Sequence, residues 1–292
     1  MPRFDPHPSR RPAVVAGASS GIGAATATAL AMAGHPVALG ARRAGVCAEA
    51  AATIRAGGGE AVAEELDVGD DDSVKRFAAA VADALGPIEV LVVAAGDLVP
   101  EYVHELDPAG FLAQTQVHLI GAHRLVSAVV PNMVARRRGD VVFISSDVVR
   151  VPRPRMGAYV PVKNGIEAMA RVMQMELEGT GVRASVVRPG PTATAMGMSW
   201  DAETTGAVID EWVRWGVARH PYFLRPSDVA AAVLTVVSAP RGSHLTLIEL
   251  EPEAPLRAGQ PAGGAAKAGR PPAPAIPPEG DEPVEAGEHG TA

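Results

Sequence analysis

The chain has 292 residues, of which 47% are apolar and 20% are charged, and its formal net charge is −7. This length allows one large α/β domain or two small ones, and the negative balance gives no overall attraction to nucleic acid or to anionic lipid. The single cysteine, Cys47, excludes an internal disulfide and a thiolate metal site, so no metal is expected. No run approaches the roughly 20 apolar residues of a membrane helix, and residues 1–12 lack the apolar run of a secretory signal. We therefore expect a cytoplasmic protein without a membrane span.

Short Val-rich runs alternate with longer Ala-rich amphipathic stretches from Ala13 onward. This alternation is typical of βαβ units, and it predicts an α/β protein with one parallel sheet. Strands are predicted at 13–16, 37–41, 61–66, 88–94, 140–145, 182–187 and 244–250, and helices near 22–33, 46–56, 71–85, 108–135, 157–178 and 226–238. The seven strands fit a single sheet.

The first predicted strand runs into a glycine-rich turn, Gly17-Ala18-Ser19-Ser20-Gly21-Ile22-Gly23, and then into a helix. Glycines let the backbone approach a ligand closely, and a helix N-terminus offers free N–H groups with a partial positive charge. A pyrophosphate would fit this turn, which follows the first strand of a βαβ unit, where a dinucleotide site belongs. Taken alone, the GxxxGxG spacing is also compatible with a plain tight turn.

The ends of the second and third predicted strands bear on the choice of cofactor. After Ala41 the chain carries Arg42 and Arg43 instead of the acidic residue that selects NAD through the ribose 2′-hydroxyl. A guanidinium suits a 2′-phosphate, so we predict NADP, although the two arginines could instead open the next helix in solvent. Asp67, followed by Val68, could bind the adenine amino group or cap the following turn.

Three further residues indicate the chemistry. Ser146 ends a predicted strand, and Tyr159 and Lys163 follow in the next predicted helix. Their spacing of four residues places Tyr159 and Lys163 one turn apart on one helical face. An ammonium beside a phenol, whose reference pKa is about 10, favours the phenolate. Tyr159 could then exchange a proton with a substrate oxygen that Ser146 holds by a hydrogen bond.

With these residues the chain resembles the short-chain dehydrogenase/reductase superfamily over roughly residues 12–250. The matching positions are Gly17, Gly21 and Gly23, then Ser146, Tyr159 and Lys163, then Pro189-Gly190 with Thr194. The resemblance implies a Rossmann-like, doubly wound domain with helices on both faces of the sheet, and hydride transfer between a nicotinamide and a carbonyl/alcohol pair. It also implies that Tyr159 is the acid/base, that Lys163 lowers its pKa and binds the nicotinamide ribose, and that Ser146 orients the substrate. The cofactor contacts predicted in this way are Gly17, Ser19, Ser20, Gly21, Ile22, Gly23, Arg42, Arg43, Asp67, Val68, Ala94, Ala95, Gly96, Tyr159, Lys163, Pro189, Gly190, Thr192 and Thr194.

The chain departs from the family pattern at three places. The Thr that usually opens the glycine turn is Ala16, and the usual NNAG strand end reads Val93-Ala94-Ala95-Gly96, which removes two amides. The helix Asn that normally organises a water for the proton relay is His118. An imidazole can carry protons, so His118 is a further candidate catalytic residue. Alternatively the site works slowly, or the cofactor serves structure only.

The segment of about 194–225 corresponds to the substrate lid of the family. Its large apolar residues are Met196, Met198, Trp200, Trp212, Trp215, Tyr222 and Phe223. They favour a bulky hydrophobic substrate, such as a steroid, a terpenoid or a long acyl chain, but they could equally pack the lid on the body or form a subunit contact.

Other functions stay open at this point. Arg150, Arg153 and Arg155, in the loop between Ser146 and Tyr159, could hold a carboxylate or the phosphates of a coenzyme A thioester, which would indicate a 3-oxoacyl-thioester reductase. Solvated arginines are the simpler interpretation. A non-catalytic dinucleotide-binding scaffold or sensor is an alternative of another class, and an epimerase or dehydratase would normally need a larger substrate domain.

The predicted domain covers 12–251, between a flexible N-terminus over 1–11 and a tail over 252–292. The tail holds nine prolines and no aromatic residue, so it cannot bury enough surface to offset its chain entropy, and we expect it to be disordered. The resemblance implies a homodimer or homotetramer built through the predicted helices at 108–135 and 157–178.

Overall fold

Seven parallel strands form one sheet in the order β3-β2-β1-β4-β5-β6-β7 in the computed structural model, which describes residues 4, 6–196, 200–217, 220 and 222–254. The strands are β1 Ala13–Ala16, β2 Val37–Ala41, β3 Ala61–Glu65, β4 Val90–Val93, β5 Gly139–Ile144, β6 Val182–Pro189 and β7 Leu247–Leu250. The order reverses between β1 and β4, which makes this the switch point where α/β sheets bind ligands. The predicted Rossmann-like, doubly wound parallel sheet is confirmed.

Helices cover both faces of the sheet. They are α1 Gly21–Met32, α2 Ala44–Ala56, α3 Asp71–Leu85, α4 Pro108–Thr115, α5 Gly121–Ala135, α6 Tyr159–Glu176, α7 Ala202–Arg214 and α8 Pro226–Ser238. Side chains alternate between the faces along each strand, so Val14 joins the core under α3, α5 and α6, while Val15 joins the core under α1, α2 and α8. Burial on both faces explains why β1 and β4, in the middle of the sheet, are continuously apolar.

Two helical features differ from the sequence-based prediction. The helix expected over 108–135 is interrupted by a π-helical turn, Gln116–Ile120, between α4 and α5. Helix α7 was not predicted, although Asp201 supplies an N-cap by accepting a hydrogen bond from the Thr204 N–H at 2.8 Å. Both features lie next to the candidate site, where tertiary contacts decide the local structure.

The segment before β1 contacts the body of the domain. Arg11 is buried and forms an ion pair with Asp140 in β5, and Arg10 donates to Glu60 at 2.6 Å. His7 lies 2.9 Å, through Nε2, from the carbonyl oxygen of Ala239. Arg11 thus has a buried partner, whereas the pair of Arg10 and Glu60 is exposed, and the flexibility expected over 1–11 stays a prediction.

Some expectations fall outside the described residues. These are the structure of the tail from position 255 onward, the first three residues with Asp5, and Met198 in the lid segment. Among the helices that the structure describes, none is both long and apolar enough to cross a membrane.

Candidate active site

The glycine turn forms a cradle at the carboxyl end of β1. Gly17 has a φ of +90°, and a Cβ there would lie 2.7 Å from the Ala95 nitrogen at the end of β4. At Gly23, a Cβ would overlap the Gly17 carbonyl oxygen. Gly21 has a φ of +54° and faces Thr194, whose Cγ2 would lie 3.1 Å from an added Cβ. Positions 17 and 23 have no room for a Cβ, and position 21 has a backbone conformation that favours glycine. The first turn of α1 carries no acidic residue, so the cradle suits an anionic group.

Arg43 lies against this turn. Its Nη2 donates to Ser19 Oγ at 2.9 Å and to Ser20 Oγ at 3.0 Å. Arg42 is exposed beside it and has no hydrogen bond or ion pair to the residues described. The arrangement brings a guanidinium, two hydroxyl groups and free backbone N–H groups to one place, which is the donor set that a nucleotide phosphate requires.

The other predicted cofactor contacts lie along the same edge of the sheet. Asp67 Oδ1 accepts from the Gly69 N–H at 2.8 Å, so this carboxylate caps the turn after β3. Val68 packs against Gly121, where a Cβ would lie 2.9 Å from Val68 Cβ. Thr192 Oγ1 donates to the carbonyl oxygen of Gly190 at 2.9 Å and shapes the turn after β6.

The structure brings Ser146, Tyr159 and Lys163 together where β5 ends and α6 begins. All three are buried, with exposed fractions of 8%, 8% and 6%. Lys163 Nζ donates to the carbonyl oxygen of Ile144 at 2.8 Å and lies 5.4 Å from the ring centroid of Tyr159. Ser146 Oγ donates to Asp147 Oδ1 at 3.2 Å. The group therefore has the contacts needed for proton transfer between a phenol and a bound oxygen.

Burial controls the protonation of this group. It raises the pKa of Tyr159 to about 12, against the opposing effect of the Ser146 hydrogen bond. It lowers the pKa of Lys163 to about 8, against the opposing charge of Glu167. The sequence predicts that Lys163 lowers the pKa of Tyr159, and the structure differs because loss of solvation outweighs nearby charges.

His118 lies in the π-helical turn with its ring edge toward Tyr159, and the two ring centroids are 5.5 Å apart. Burial, followed by the charge of Lys163, lowers the pKa of His118 to about 3, so the ring is neutral. Nε2 lies 2.6 Å from the carbonyl oxygen of Asp97 and 3.1 Å from its nitrogen, and the shorter contact places the hydrogen on Nε2. Nδ1 is then a buried acceptor with no partner among the described residues.

Gly96 makes room for His118. A Cβ at position 96 would overlap Cε1 of the imidazole, so the side chain of any other residue would displace the ring. The two departures from the family pattern at 94–96 and at 118 are thus in direct contact.

Part of the lid covers the site. Trp200 and Trp212 pack on an apolar cluster that contains Tyr159, Leu98 and Met156. Trp200 Nε1 donates to the Leu98 carbonyl oxygen at 3.3 Å. In contrast, Trp215, Tyr222 and Phe223 are exposed, with more than 45% of each accessible to solvent. Of these five aromatic residues, only the first two pack against the cluster that contains Tyr159.

The three arginines of the loop between Ser146 and Tyr159 all have acidic partners. Arg150 binds Glu249 at 2.7 Å, and Arg155 binds Glu211 of α7 at 3.0 Å. Arg153 is buried and binds Asp147 through both terminal nitrogens. Arg150 is exposed to solvent, Arg155 is partly covered and Arg153 is buried, and all three guanidinium groups are engaged by carboxylates.

Two acidic residues of the site were missed in the sequence. Asp147 directly follows Ser146. Glu167 accepts from Ser145 Oγ at 2.7 Å and from Arg188 at 2.9 Å and 2.7 Å. The signal for Glu167 was its position four residues after Lys163, on the same helical face. Among the described residues, no group of three or more His, Cys, Asp or Glu side chains is placed to hold a metal ion.

Comparisons with known proteins agree with this geometry. The family model for short chain dehydrogenases matches residues 11–205. The 2,3-dihydro-2,3-dihydroxybenzoate dehydrogenase of Bacillus subtilis is 32% identical over 243 residues, which are 82% of this chain and 92% of that protein. The glycine betaine reductase ATRR of Emericella nidulans is 36% identical over 245 residues, which are 84% of this chain and 19% of that protein. An alcohol dehydrogenase of Thermococcus sibiricus, solved with 5-hydroxy-NADP, has a TM-score of 0.72 and 29% identity, covering 83% of this chain and 96% of that chain.

Proposed function

The chain belongs to the short-chain dehydrogenase family of oxidoreductases, and we propose that it transfers hydride between NADP(H) and the carbonyl or alcohol group of its substrate. The observation that carries this proposal is the buried group of Ser146, Tyr159 and Lys163 beside the glycine cradle at the switch point of the sheet. A scaffold or sensor would not need a buried phenol and a buried ammonium in contact, since each costs free energy to desolvate.

Tyr159 is the proton donor in this proposal. With a pKa of about 12 it is a neutral phenol over the working range of pH, and it gives its hydrogen to the substrate oxygen during reduction. Ser146 holds the same oxygen by a hydrogen bond. When bound, the nicotinamide supplies hydride to the carbonyl carbon or accepts it from an alcohol.

Lys163 and His118 support the donor. Lys163 carries its charge below a pH of about 8, and its ammonium stabilises negative charge that develops on the phenol oxygen. His118 serves as a fixed neutral acceptor through Nδ1, because its hydrogen is held on Nε2 by Asp97. This role differs from that of a histidine that shuttles charge as imidazolium.

NADP is favoured over NAD by the position of Arg43. Its guanidinium lies on the hydroxyl groups of Ser19 and Ser20, with Arg42 exposed beside it, and no acidic residue ends β2. We assign the 2′-phosphate to these two arginines, with Arg43 making the stronger contact. The cradle of Gly17, Ser19, Ser20, Gly21, Ile22 and Gly23 would hold the pyrophosphate, and Asp67, Val68, Ala94, Ala95, Gly96, Pro189, Gly190, Thr192 and Thr194 would line the rest of the site.

A hydrophobic carbonyl or alcohol is the proposed substrate class. Met156 packs in one cluster with Tyr159, Trp200 and Trp212 pack against it, and their apolar surface favours a bulky apolar group. The paired state of Arg150, Arg153 and Arg155 gives the thioester alternative no free guanidinium in this loop.

We further propose a cytoplasmic homodimer or homotetramer. Val172 and Met175 of α6 are apolar and exposed, which suits a subunit contact on this helix. Light scattering after size exclusion measures the mass of the assembly, and Met175→Glu should shift it toward one chain.

The cofactor assignment is tested by calorimetric titration of the wild-type chain, Arg42→Ala and Arg43→Ala with NADPH and with NADH. The wild type should bind NADPH more tightly, and Arg43→Ala should lose about tenfold or more for NADPH, with little change for NADH. Equal losses for the two cofactors would contradict phosphate recognition. If neither cofactor binds, the nicotinamide-dependent function is rejected. Binding justifies a screen of hydrophobic ketones and alcohols by nicotinamide absorbance, and binding without turnover would favour the scaffold or sensor.

A further inference from the structure

Two buried charges lie beside Ser146 and have no part in the chemistry proposed above. Asp147 directly follows Ser146, and Arg153 lies six residues further along the same loop. Nη1 of Arg153 donates to Oδ1 of Asp147 at 2.8 Å, and Nη2 donates to Oδ2. Only 4% of Asp147 and 9% of Arg153 are exposed, so water screens these charges weakly.

This ion pair contacts the catalytic serine on one side and the lid on the other. Ser146 Oγ donates to Oδ1 of Asp147 at 3.2 Å. The guanidinium carbon of Arg153 lies 5.1 Å from the centroid of the Trp212 ring in α7, which is a cation–π contact. Because Trp212 also packs on the cluster of Tyr159, the pair joins the loop after β5 to the cover of the site.

Arg153 is poorly placed to hold a substrate anion. Both of its terminal nitrogens are bound to Asp147, and its Nε is enclosed without a hydrogen-bond partner among the described residues. An incoming carboxylate would have to displace Asp147 from the same nitrogens. The geometry instead points to an action of Arg153 through Asp147.

We propose that Asp147 and Arg153 are positioning residues for the catalytic pair: Asp147 holds the hydroxyl of Ser146 until a substrate oxygen replaces the carboxylate as acceptor of its hydrogen, and the two opposite charges balance each other beside Tyr159. The inference rests on the proposed function, because it assigns the ion pair to the proton donor of that reaction. The carboxylate of Asp147 thus holds the serine. The guanidinium of Arg153 offsets the electrostatic effect that this carboxylate would have on the phenol of Tyr159.

Among the groups around Tyr159, the pair of Asp147 and Arg153 contains the charges that can be removed without removing a group that the proposed reaction uses. Lys163 lies one turn further along α6, and its charge is needed for the reaction itself. His118, from the π-helical turn, is neutral. Trp212, from α7, is uncharged. Below a pH of about 8 the tyrosine therefore meets one cation on its own helix and a cation with an anion from the loop after β5. At the higher pH where Tyr159 titrates, Lys163 is neutral, and the two charges of the loop remain.

The remaining charged residues near the site are held by other partners. Glu211 of α7 accepts from Arg155 at 3.0 Å and from the hydroxyl of Tyr102. Glu167 of α6 is bound by Arg188 of β6. After burial, which has the largest effect, and the hydrogen bond of Ser146, Asp147 raises the pKa of Tyr159 and Arg153 lowers it.

Removing one charge at a time should shift the titration of Tyr159 in opposite directions. The chain has three tyrosines, so ¹³C labelling of tyrosine Cζ gives three NMR signals, and Tyr159→Phe identifies the one of interest. Asp147→Asn removes the anion and should lower the midpoint by about one pH unit. Arg153→Met removes the cation and should raise it by a similar amount, and the double variant should return close to the wild type.

A merely structural role would not shift the midpoint of Tyr159 in opposite directions in the two variants. General loosening of the site would shift the midpoint in the same direction in both. A matched control is Glu89→Gln, which neutralises a buried carboxylate at the other edge of the sheet and should leave the midpoint of Tyr159 unchanged. Equal midpoints in all variants, or shifts of the same sign, would overturn the proposal.

Arg153→Met leaves a buried carboxylate unpaired and can prevent folding. In that case Asp147→Asn is compared with the double variant, whose pair is neutral: the double variant must titrate at the higher pH, and a lower or equal midpoint rejects the proposal. If the wild type unfolds in alkali before Tyr159 ionises, Asp147→Asn must still titrate before that point.

This measurement needs no substrate, so it tests the role of the ion pair separately from the proposed hydride transfer. Opposite shifts without turnover would reject the proposed function and leave the electrostatic role of the pair intact. Turnover with unshifted midpoints would support the proposed function and reject the electrostatic role of the pair.

Discussion

The two edges of the parallel sheet both bury paired charges, such as those of Asp147 and Arg153 where the strands end, but this second edge also buries ionisable side chains without an ion-pair partner among the described residues. At the edge where the strands begin, Asp140 in β5 binds Arg11 and, at 2.7 Å, Arg183. Arg183 also donates to the carbonyl oxygens of Ala239 at 3.0 Å and Ser243 at 2.6 Å. Every charge of this cluster thus faces an opposite charge or an oriented dipole.

At the edge where the strands end, Lys163, His118 and Tyr159 are buried without an ion-pair partner among the described residues. Lys163 has only the carbonyl oxygen of Ile144 and the more distant charge of Glu167. Their pKa values are displaced, upward for the phenol and downward for the amine and the imidazole.

The contrast shows how one sheet serves two purposes. Burial with partners preserves charges and ties distant segments together, so the first edge contributes to the fold. Burial without partners changes proton affinity, which is the property that acid/base catalysis requires. We expect substitutions at the first edge to change stability and substitutions at the second edge to change chemistry.

The largest expected effect is at the second edge. Tyr159→Phe removes the proton donor while keeping the shape of the ring, so turnover should fall by about 10²–10⁴-fold. The affinity for NADPH should stay close to that of the wild type, because the cradle is untouched. Steady-state rates and calorimetry check the two statements, and comparable turnover in this variant would reject the assigned mechanism.

The matching substitution at the first edge is Asp140→Ala. It leaves Arg11 and Arg183 as buried charges without their carboxylate and should lower the free energy of unfolding by about 3–5 kcal/mol. Denaturant unfolding measures the loss. Turnover per folded molecule should be unchanged, and a large loss of turnover in folded protein would break the proposed division between the two edges.

Gly96→Ala tests the contact between the two departures from the family pattern. The added Cβ would overlap the imidazole of His118, so overpacking should cost about 1–3 kcal/mol of stability. Turnover should fall as well, because His118 is displaced from Tyr159. The double variant Gly96→Ala, His118→Asn has a smaller side chain at 118 and should recover stability. If it does not, steric conflict with the ring is not the cause.

The turnover of Lys163→Met, which changes a lysine in the site, is compared with that of Lys75→Met, which changes a lysine on the surface. Lys75 is exposed on α3 and pairs with Asp71 at 2.5 Å, and such pairs contribute about 0–1 kcal/mol, so its variant should have wild-type turnover. Lys163→Met should lose turnover in reduction. A loss of equal size in both variants would show that the change reflects general damage.

Much of the second edge was predictable from sequence, because its determinants are local. The glycine turn, the strand that ends at Ser146 and the spacing of Tyr159 and Lys163 each lie within one short segment. The βαβ rhythm likewise predicts the parallel sheet, since apolar strands and amphipathic helices alternate along the chain.

What the sequence could not show depends on contacts between distant segments. The π-helical turn that presents His118 forms beside Gly96, more than twenty residues away. The contact of Arg153 with Trp212 needs the loop after β5 and α7 together. Desolvation of Tyr159 also depends on the whole cover of the site, and it reverses the pKa shift that the spacing with Lys163 alone predicts.

The central claim, that burial without a charged partner sets proton affinity at the second edge, is tested most directly on Lys163. The chain has three lysines, Lys75, Lys163 and Lys267, so ¹³C labelling of lysine Cε gives three titration curves, and Lys163→Arg assigns the curve of interest. We predict that the signal of Lys163 titrates near a pKa of about 8. A titration close to the ordinary value of about 10.4 would contradict the account.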